Sequence, residues 1–147
     1  MRPSILLGLL VLSFGCGGPF AMIPGGALSG PVQSAPSDWS FTNDVENIQL
    51  ETRPEDPYSV TLWGVGVGSD FYVASGGGTE STWAQNIDAN PDVRLRVGDD
   101  VYELLAVRTQ EPADRERFLA AARLKYDNFE PSEEDASKAV LYRLEAR

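Results

Sequence analysis

Val93, Leu95 and Val97 alternate with Arg94 and Arg96, and Gly98-Asp99-Asp100 then turn the chain into a second extended run, Val101 to Arg108. Period-two alternation closed by a glycine turn is the pattern of an antiparallel hairpin. It commits the middle of the chain to a sheet with a buried face, because a slip of one residue would expose every valine and leucine of the run. The same pattern recurs upstream. Ile48-Gln49-Leu50-Glu51-Thr52 alternates before Arg53-Pro54-Glu55-Asp56-Pro57, where two prolines end the run. Tyr58 to Val67 reads as one longer strand, in which Gly64 and Gly66 mark a sharp bend or a close approach by a ligand or another backbone. Gly68-Ser69-Asp70 turns into Phe71-Tyr72-Val73-Ala74-Ser75, and Ala139 to Glu145 supplies a last strand.

Helices interrupt these strands. After Gly76-Gly77-Gly78, Ser81 is placed to cap a short helix from Thr82 to Ala89, with Trp83 and Ile87 on one face at i,i+4 spacing and Asn90-Pro91 to end it. Glu111-Pro112-Ala113-Asp114 opens the longest helix with acidic residues at its positive end, and Phe118, Ala122 and Tyr126 recur along its inner face. The whole predicts a mainly β, α+β fold: a small antiparallel barrel of about six strands with two or three helices at its rim.

The chain start carries a different signal. Arg2 precedes the uncharged run Ile5 to Phe14, which ends in Gly15-Cys16. Spanning a bilayer takes about 20 apolar residues, so this run reads as the core of a signal peptide over residues 1–15. Leu12-Ser13-Phe14-Gly15-Cys16 resembles a bacterial lipobox, Phe14 being bulkier than that pattern usually allows. Cys16 is the one cysteine of the chain, so an internal disulfide and a zinc-thiolate cluster are both ruled out. Two readings follow: lipid on Cys16 that holds the protein to a membrane of the cell envelope, or an ordinary export signal that happens to contain a cysteine. Residues 16–36, rich in Gly, Pro, Ser and Ala and without charge, read as a tether, although Phe20, Met22, Ile23, Leu28 and Val32 would also suit an arm lying on the domain. Residues 37–147 then form one domain.

Charge and residue types narrow the function. The formal charge is −10, which argues against nucleic acid and against electrostatic attachment to anionic lipid. The chain has no histidine, which removes histidine-based acid-base chemistry and histidine metal sites. Asp99-Asp100 and Glu133-Glu134-Asp135 lie in a turn and near a helix start, where solvation and capping account for them.

Phe71-Tyr72-Val73-Ala74-Ser75-Gly76-Gly77-Gly78, followed by Trp83-Ala84-Gln85-Asn86-Ile87-Asp88-Ala89-Asn90-Pro91-Asp92-Val93, resembles the deazaflavin-dependent nitroreductase family. That family belongs to the split-barrel superfamily of flavin-binding, pyridoxamine-phosphate-oxidase-like proteins. The resemblance runs from about Ile48 to Leu144 and implies a split β-barrel. It also implies a groove that holds a deazaflavin coenzyme or flavin mononucleotide (FMN), hydride transfer to a small organic acceptor, no metal, and pairing into a homodimer. Such enzymes leave the chemistry to the cofactor, while the protein positions it.

On that basis the expected ring contacts are Tyr58, Trp63, Tyr72 and Trp83, with Asn86 beside them. Ser75, Gly76, Gly77 and Gly78 are placed to meet a phosphate with backbone N–H groups. Arg53 is the one cation in the segment that the family uses for cofactor phosphate, and Glu55 and Asp56 oppose it there. Blander readings stand beside these: Trp83 as a core plug, Asn86 and Asn90-Pro91 as the end of a helix, the glycines as a plain loop, and Arg94 and Arg96 as a solvent face. An oxidoreductase and a non-catalytic lipoprotein that binds a small ligand or an envelope partner in the same groove both remain open.

Overall fold

The computed structural model describes residues 18–19 and 22–147. Residues 1–15 and Cys16, and with them the signal-peptide and lipidation expectations, lie outside the described residues. The described residues form eight strands: β1 Val32–Gln33, β2 Ile48–Thr52, β3 Tyr58–Leu62, β4 Gly64–Val67, β5 Asp70–Ser75, β6 Asp92–Val97, β7 Asp100–Thr109 and β8 Val140–Ala146. The helices are α1 Thr82–Ala89, α2 Pro112–Lys125 and α3 Glu133–Lys138, with 3-10 turns at Ser40–Asp44 and Gly78–Glu80. Among the described residues no helix is long and apolar enough to cross a membrane.

The strands form one sheet in the order β3-β2-β6-β7-β8-β5-β4, antiparallel throughout, with β1 added in parallel to β7. The predicted mainly β barrel is therefore present, with eight strands in place of about six. One extra strand comes from Tyr58 to Val67, which is two strands and not one. β3 pairs with β2 at one end of the sheet and β4 with β5 at the other, so Trp63 alone joins the two ends. This single-residue link draws the sheet into a barrel. A continuous hydrogen-bonded strand cannot pair with both ends without changing partner, and the change is made at Trp63.

Alternation decides which side chains fill the barrel. Ile48, Leu50, Phe71, Val73, Val93, Leu95, Leu104, Tyr142 and Leu144 meet inside it with Trp39, Trp83 and Ile87. Tyr72 on β5 and Leu141 on β8, each next to an inward-facing residue, face outward and pack with Val65 under Ala122 of α2 and the adjoining Tyr126. Close backbone approach explains Gly66. A Cβ there would lie 2.4 Å from the Trp39 carbonyl oxygen, so only glycine lets the turn that carries buried Trp39 reach the strand.

The second extra strand belongs to the stretch expected as a tether. Gly25 exchanges two backbone hydrogen bonds with Ser59, each 2.8 Å, and the Pro31 carbonyl accepts from Val101 N–H at 2.9 Å. Leu28 is buried; its N–H donates to Glu51 Oε2 at 2.6 Å and its carbonyl accepts from Arg94 Nη1 at 3.0 Å. From Met22 to Gln33 the chain is thus an arm that pairs with the edge of β3 at Gly25, crosses the outer side of β2 and β6 at Leu28 and pairs with β7 at Val32. Arg94 was expected to face solvent. Instead it lies partly buried beneath the arm, 3.2 Å from the Glu51 carboxylate, because the arm supplies polar backbone groups that the alternating side chains can bind.

Candidate functional site

α2 lies over the outer faces of β4, β5 and β8 and leaves a groove of about 180 Å³ bounded also by α3. Val65, Ala74 and Leu141 form its floor, Phe118 and Ala122 its wall, and Trp63 and Tyr126 its rim. Strand alternation points the floor residues out of the barrel, and the i,i+4 spacing of Phe118 and Ala122 puts them on the sheet-facing side of α2. Arg115 fixes α3 over the groove, its guanidinium donating to the Ala136 carbonyl at 2.7 Å and to the Ala139 carbonyl at 3.4 Å.

The rim is an aromatic platform. Trp63, 47% exposed, stacks on Tyr126 with ring centroids 4.3 Å apart and planes 10° from parallel. The Tyr126 hydroxyl accepts from Gly64 N–H at 3.0 Å and donates to the Glu46 carbonyl at 2.9 Å, and burial pushes its pKa up. Lys125 donates to the Gly64 carbonyl at 2.7 Å, and burial lowers its pKa to about 8. A polar depression shares Trp63 and Tyr126 with the groove and is lined by Asn43, Asp44, Glu46, Lys125 and Asp127. The site is thus an apolar slot with one flat aromatic wall and a carboxylate-rich mouth.

The residues expected to hold a cofactor are scattered, and Tyr72 is buried under α2 with its hydroxyl on Asp114. Trp63 and Gly76 line the groove together, and a Cβ at Gly76 would meet nothing within 4 Å. The rest of the glycine turn is closed on itself. Ser75 Oγ donates to the Gly78 carbonyl at 2.7 Å and lies 2.6 Å from Ser81 Oγ. Gly78 has φ of 62°, and a Cβ on it would fall 2.8 Å from the Lys138 carbonyl oxygen. Ser81 stands at the helix start but does not cap it with its side chain, because its hydroxyl is already engaged with Ser75.

Arg53, Tyr58 and Asn86 gather elsewhere, at the β2–β3 turn beside α1. Asn86 Nδ2 donates to Thr52 Oγ1 at 3.0 Å, Thr52 Oγ1 donates to the Tyr58 carbonyl at 3.2 Å, and the Arg53 guanidinium lies 5.4 Å from the Tyr58 ring centre. Trp83 is buried inside the barrel against Tyr142, with ring centroids 5.7 Å apart, so it plugs the core. Tyr126, Lys125, Phe129 and Arg115 border the site without having been singled out as ligand contacts. The 3.6-residue spacing did show Phe118, Ala122 and Tyr126 on one helix face, and that was the signal available.

Charge tests the fit to a phosphate-bearing cofactor. Arg53 donates through Nε to the Asp56 carbonyl at 3.0 Å and lies 3.3 Å from the Asp56 carboxylate. Arg94 is paired with Glu51 and Arg96 with Asp99, and Arg115 and Lys125 donate to carbonyls. The groove therefore suits a planar, largely uncharged ring, whereas Arg53, Arg115 and Lys125, the cations at the β2–β3 turn and the groove, already donate to groups within the chain. Among the described residues, no group of three carboxylate or cysteine side chains is arranged to hold a metal ion.

The sequence model of the family described as F420H(2)-dependent quinone reductase matches residues 52–141. No curated protein matches the chain. Among solved structures, a conserved hypothetical protein of Mycobacterium tuberculosis, Rv2991, is 21% identical with a TM-score of 0.59, over 73% of this chain and 76% of that one. An F420-H2 dependent reductase, FDR-A, is 18% identical with a TM-score of 0.56, over 81% of this chain and 100% of that one. A structure described as a domain-swapped dimer is 22% identical with a TM-score of 0.54, over 68% of this chain and 80% of that one. At these identities the likeness to solved structures establishes the shared fold.

Proposed function

Because the chain belongs to the F420H(2)-dependent quinone reductase family, we propose that it is a reductase of small planar organic acceptors, held at the cell envelope by lipid on Cys16. The observation that carries this reading is the Trp63–Tyr126 platform set over an apolar groove beside the open backbone of Gly76. Aromatic walls of this kind bind ring systems by offset stacking. A reduced deazaflavin or FMN would supply hydride to the acceptor. The chain's own part is to hold rings parallel, to keep water off the floor formed by Val65, Ala74 and Leu141, and to keep the rim rigid through the hydrogen bonds of Tyr126.

The groove is smaller than the roughly 300–1,000 Å³ of most ligand pockets, so it takes a ring and leaves the rest of a cofactor outside. Because Arg53 is already bound to Asp56, the phosphate end gains little, and the cofactor acts as an exchangeable partner of the reaction. Homodimer formation belongs to the same proposal and rests on the domain-swapped relative.

The engagement of Arg53, Arg115 and Lys125 within the chain also favours a second reading, a lipoprotein that binds an uncharged ring compound without turning it over. One experiment separates the two. The full chain is titrated with FMN, with a deazaflavin coenzyme and with a simple quinone, following Trp fluorescence and then turnover under reducing conditions. The reductase reading expects saturable binding of one cofactor and quinone-dependent oxidation of its reduced form. Quinone binding with neither cofactor bound would establish the second reading in its place.

A further inference from the structure

The arm from Met22 to Gln33 holds its apolar side chains in two opposite ways. Leu28 is turned in and buried, its backbone clamped between Glu51 and Arg94. Met22 and Ile23 are turned out, 94% and 64% exposed, and Val32 is also exposed. Six large apolar side chains are exposed among the described residues, and these three share one arm. Burying Met22 and Ile23 is favourable, and the described residues leave both open.

The chain on the N-terminal side says what would cover it. Gly18 and Pro19 already touch the domain: the Pro19 carbonyl accepts from Gln49 Nε2 at 3.4 Å, and a Cβ on Gly25 would fall 2.2 Å from the Gly18 carbonyl carbon. Cys16 is two residues before Gly18, and two extended residues span at most about 7 Å. A lipid on Cys16 would therefore bring the bilayer against this wall of the barrel and leave no length for a free tether.

We propose that Met22 and Ile23 enter the lipid interface beside the acylated Cys16, so that the arm-covered wall of the barrel faces the membrane. The proposal rests on the lipid-anchor part of the proposed function. The arm runs from the edge of β3 across the outer side of β2 and β6 to β7, whereas the groove lies on the outer faces of β4, β5 and β8 under α2. The docked orientation therefore presents the Trp63–Tyr126 rim to the aqueous side, and ligands reach it from water. Insertion is apolar in origin: no Lys or Arg lies in residues 16–36, so attachment in this orientation is insensitive to salt.

The test uses the full, lipidated protein in phosphatidylcholine vesicles. Cys16 is the one native cysteine, so Ile23→Cys supplies the single reactive thiol once Cys16 is acylated, and Leu124→Cys on α2, a site 91% exposed, supplies the control. Each is labelled with an environment-sensitive fluorophore. At position 23 the label should be quenched by nitroxides in the acyl region and lose its quenching by aqueous iodide; at position 124 the pattern should be reversed. Met22→Cys serves in the same way if Ile23→Cys lowers thermal stability. Vesicle-bound protein with position 23 as open to iodide as position 124 would overturn the docking proposal. A full chain that carries no acyl group on Cys16 by mass spectrometry after expression in a bacterial host would instead refute lipidation at Cys16, a separate failure.

Discussion

The Tyr72 hydroxyl donates to Asp114 Oδ1 across 2.7 Å, tying β5 to the first turn of α2 from a carboxylate that is itself buried. Thr109 Oγ1 donates to the other oxygen at 2.7 Å, and Arg143 Nη1 from β8 donates to it at 2.9 Å. One carboxylate thus joins two strands, the β7 end and the helix that walls the groove. Its pKa is held below the usual carboxylate range, first by the Thr109 and Tyr72 hydrogen bonds and then by Arg143.

Asp114→Ala removes the acceptor shared by Tyr72, Thr109 and Arg143; Arg143 keeps Glu145 and Tyr72 keeps Arg117, so the loss should fall at about 2–3 kcal/mol, the low end for breaking a buried pair. Urea unfolding at pH 7 should show that loss. The pH dependence has a definite sign. A carboxyl whose pKa is lower folded than unfolded contributes stability that is complete above the unfolded value, about 3.9, and is lost as pH falls through the folded value. The acid limb of the wild-type stability curve below about pH 4 should therefore be shallower in Asp114→Ala. Equal slopes would show that the carboxylate is not coupled to folding.

The two rings of the groove rim should separate binding from stability. Trp63 is half exposed, so Trp63→Ala sacrifices mainly the stacked pair, about 1 kcal/mol, while removing the flat wall a ring ligand needs. Tyr126→Phe keeps that wall and deletes the hydroxyl between Gly64 N–H and the Glu46 carbonyl, at about 1–3 kcal/mol of stability. Ligand titration together with urea melts should show Trp63→Ala weak in binding and near normal in stability, and Tyr126→Phe the reverse.

Local pattern made most of the barrel legible. Val93, Leu95 and Val97 point inward as their alternation requires, Trp83 and Ile87 are buried on one face of α1, and turns fall at Gly68 and Gly98, both with positive φ. What escaped depends on partners distant in sequence. Nothing around Trp63 signals a change of strand partner, because the signal is the position of β2 and β5. Arg94 and Glu51 look like surface residues until Leu28 is laid over them. The site suffered most from this: aromatic residues were recognisable, but whether Trp63 or Trp83 faced a groove depended on which side of the closed sheet each one reached.

Lys125 should titrate near pH 8. Its pKa is lowered by burial, so between about 8 and the unfolded value of about 10.4 the unfolded chain binds the extra proton, and stability rises with pH across that interval. Tyr142, pushed up to about 12 chiefly by burial, acts in the opposite sense once unfolded tyrosines ionise above about pH 10. The rise should therefore be seen between about pH 8 and 10 and be absent in Lys125→Met. Unfolding midpoints measured at half-unit steps of pH check this, and an identical rise in Lys125→Met would assign it to another group.

The β2–β3 turn offers a gain-of-function test. Arg53 is held by Asp56 at 3.3 Å, and Glu55 adds a second carboxylate to the same turn. If this turn lies where a cofactor phosphate would pass, Asp56→Ser frees the guanidinium and Glu55→Lys adds a cation. A single charge pair at 4 Å is worth up to about 4 kcal/mol at an effective dielectric of 20 before screening, and each 1.4 kcal/mol or so is tenfold in affinity. Solvent and salt reduce that gain, so the double variant should bind FMN about tenfold to a hundredfold more tightly at low ionic strength. The increase should shrink as salt is raised, while affinity for an uncharged quinone stays unchanged. FMN affinity equal to that of the wild type, in a variant that melts normally, would place the phosphate path away from Arg53.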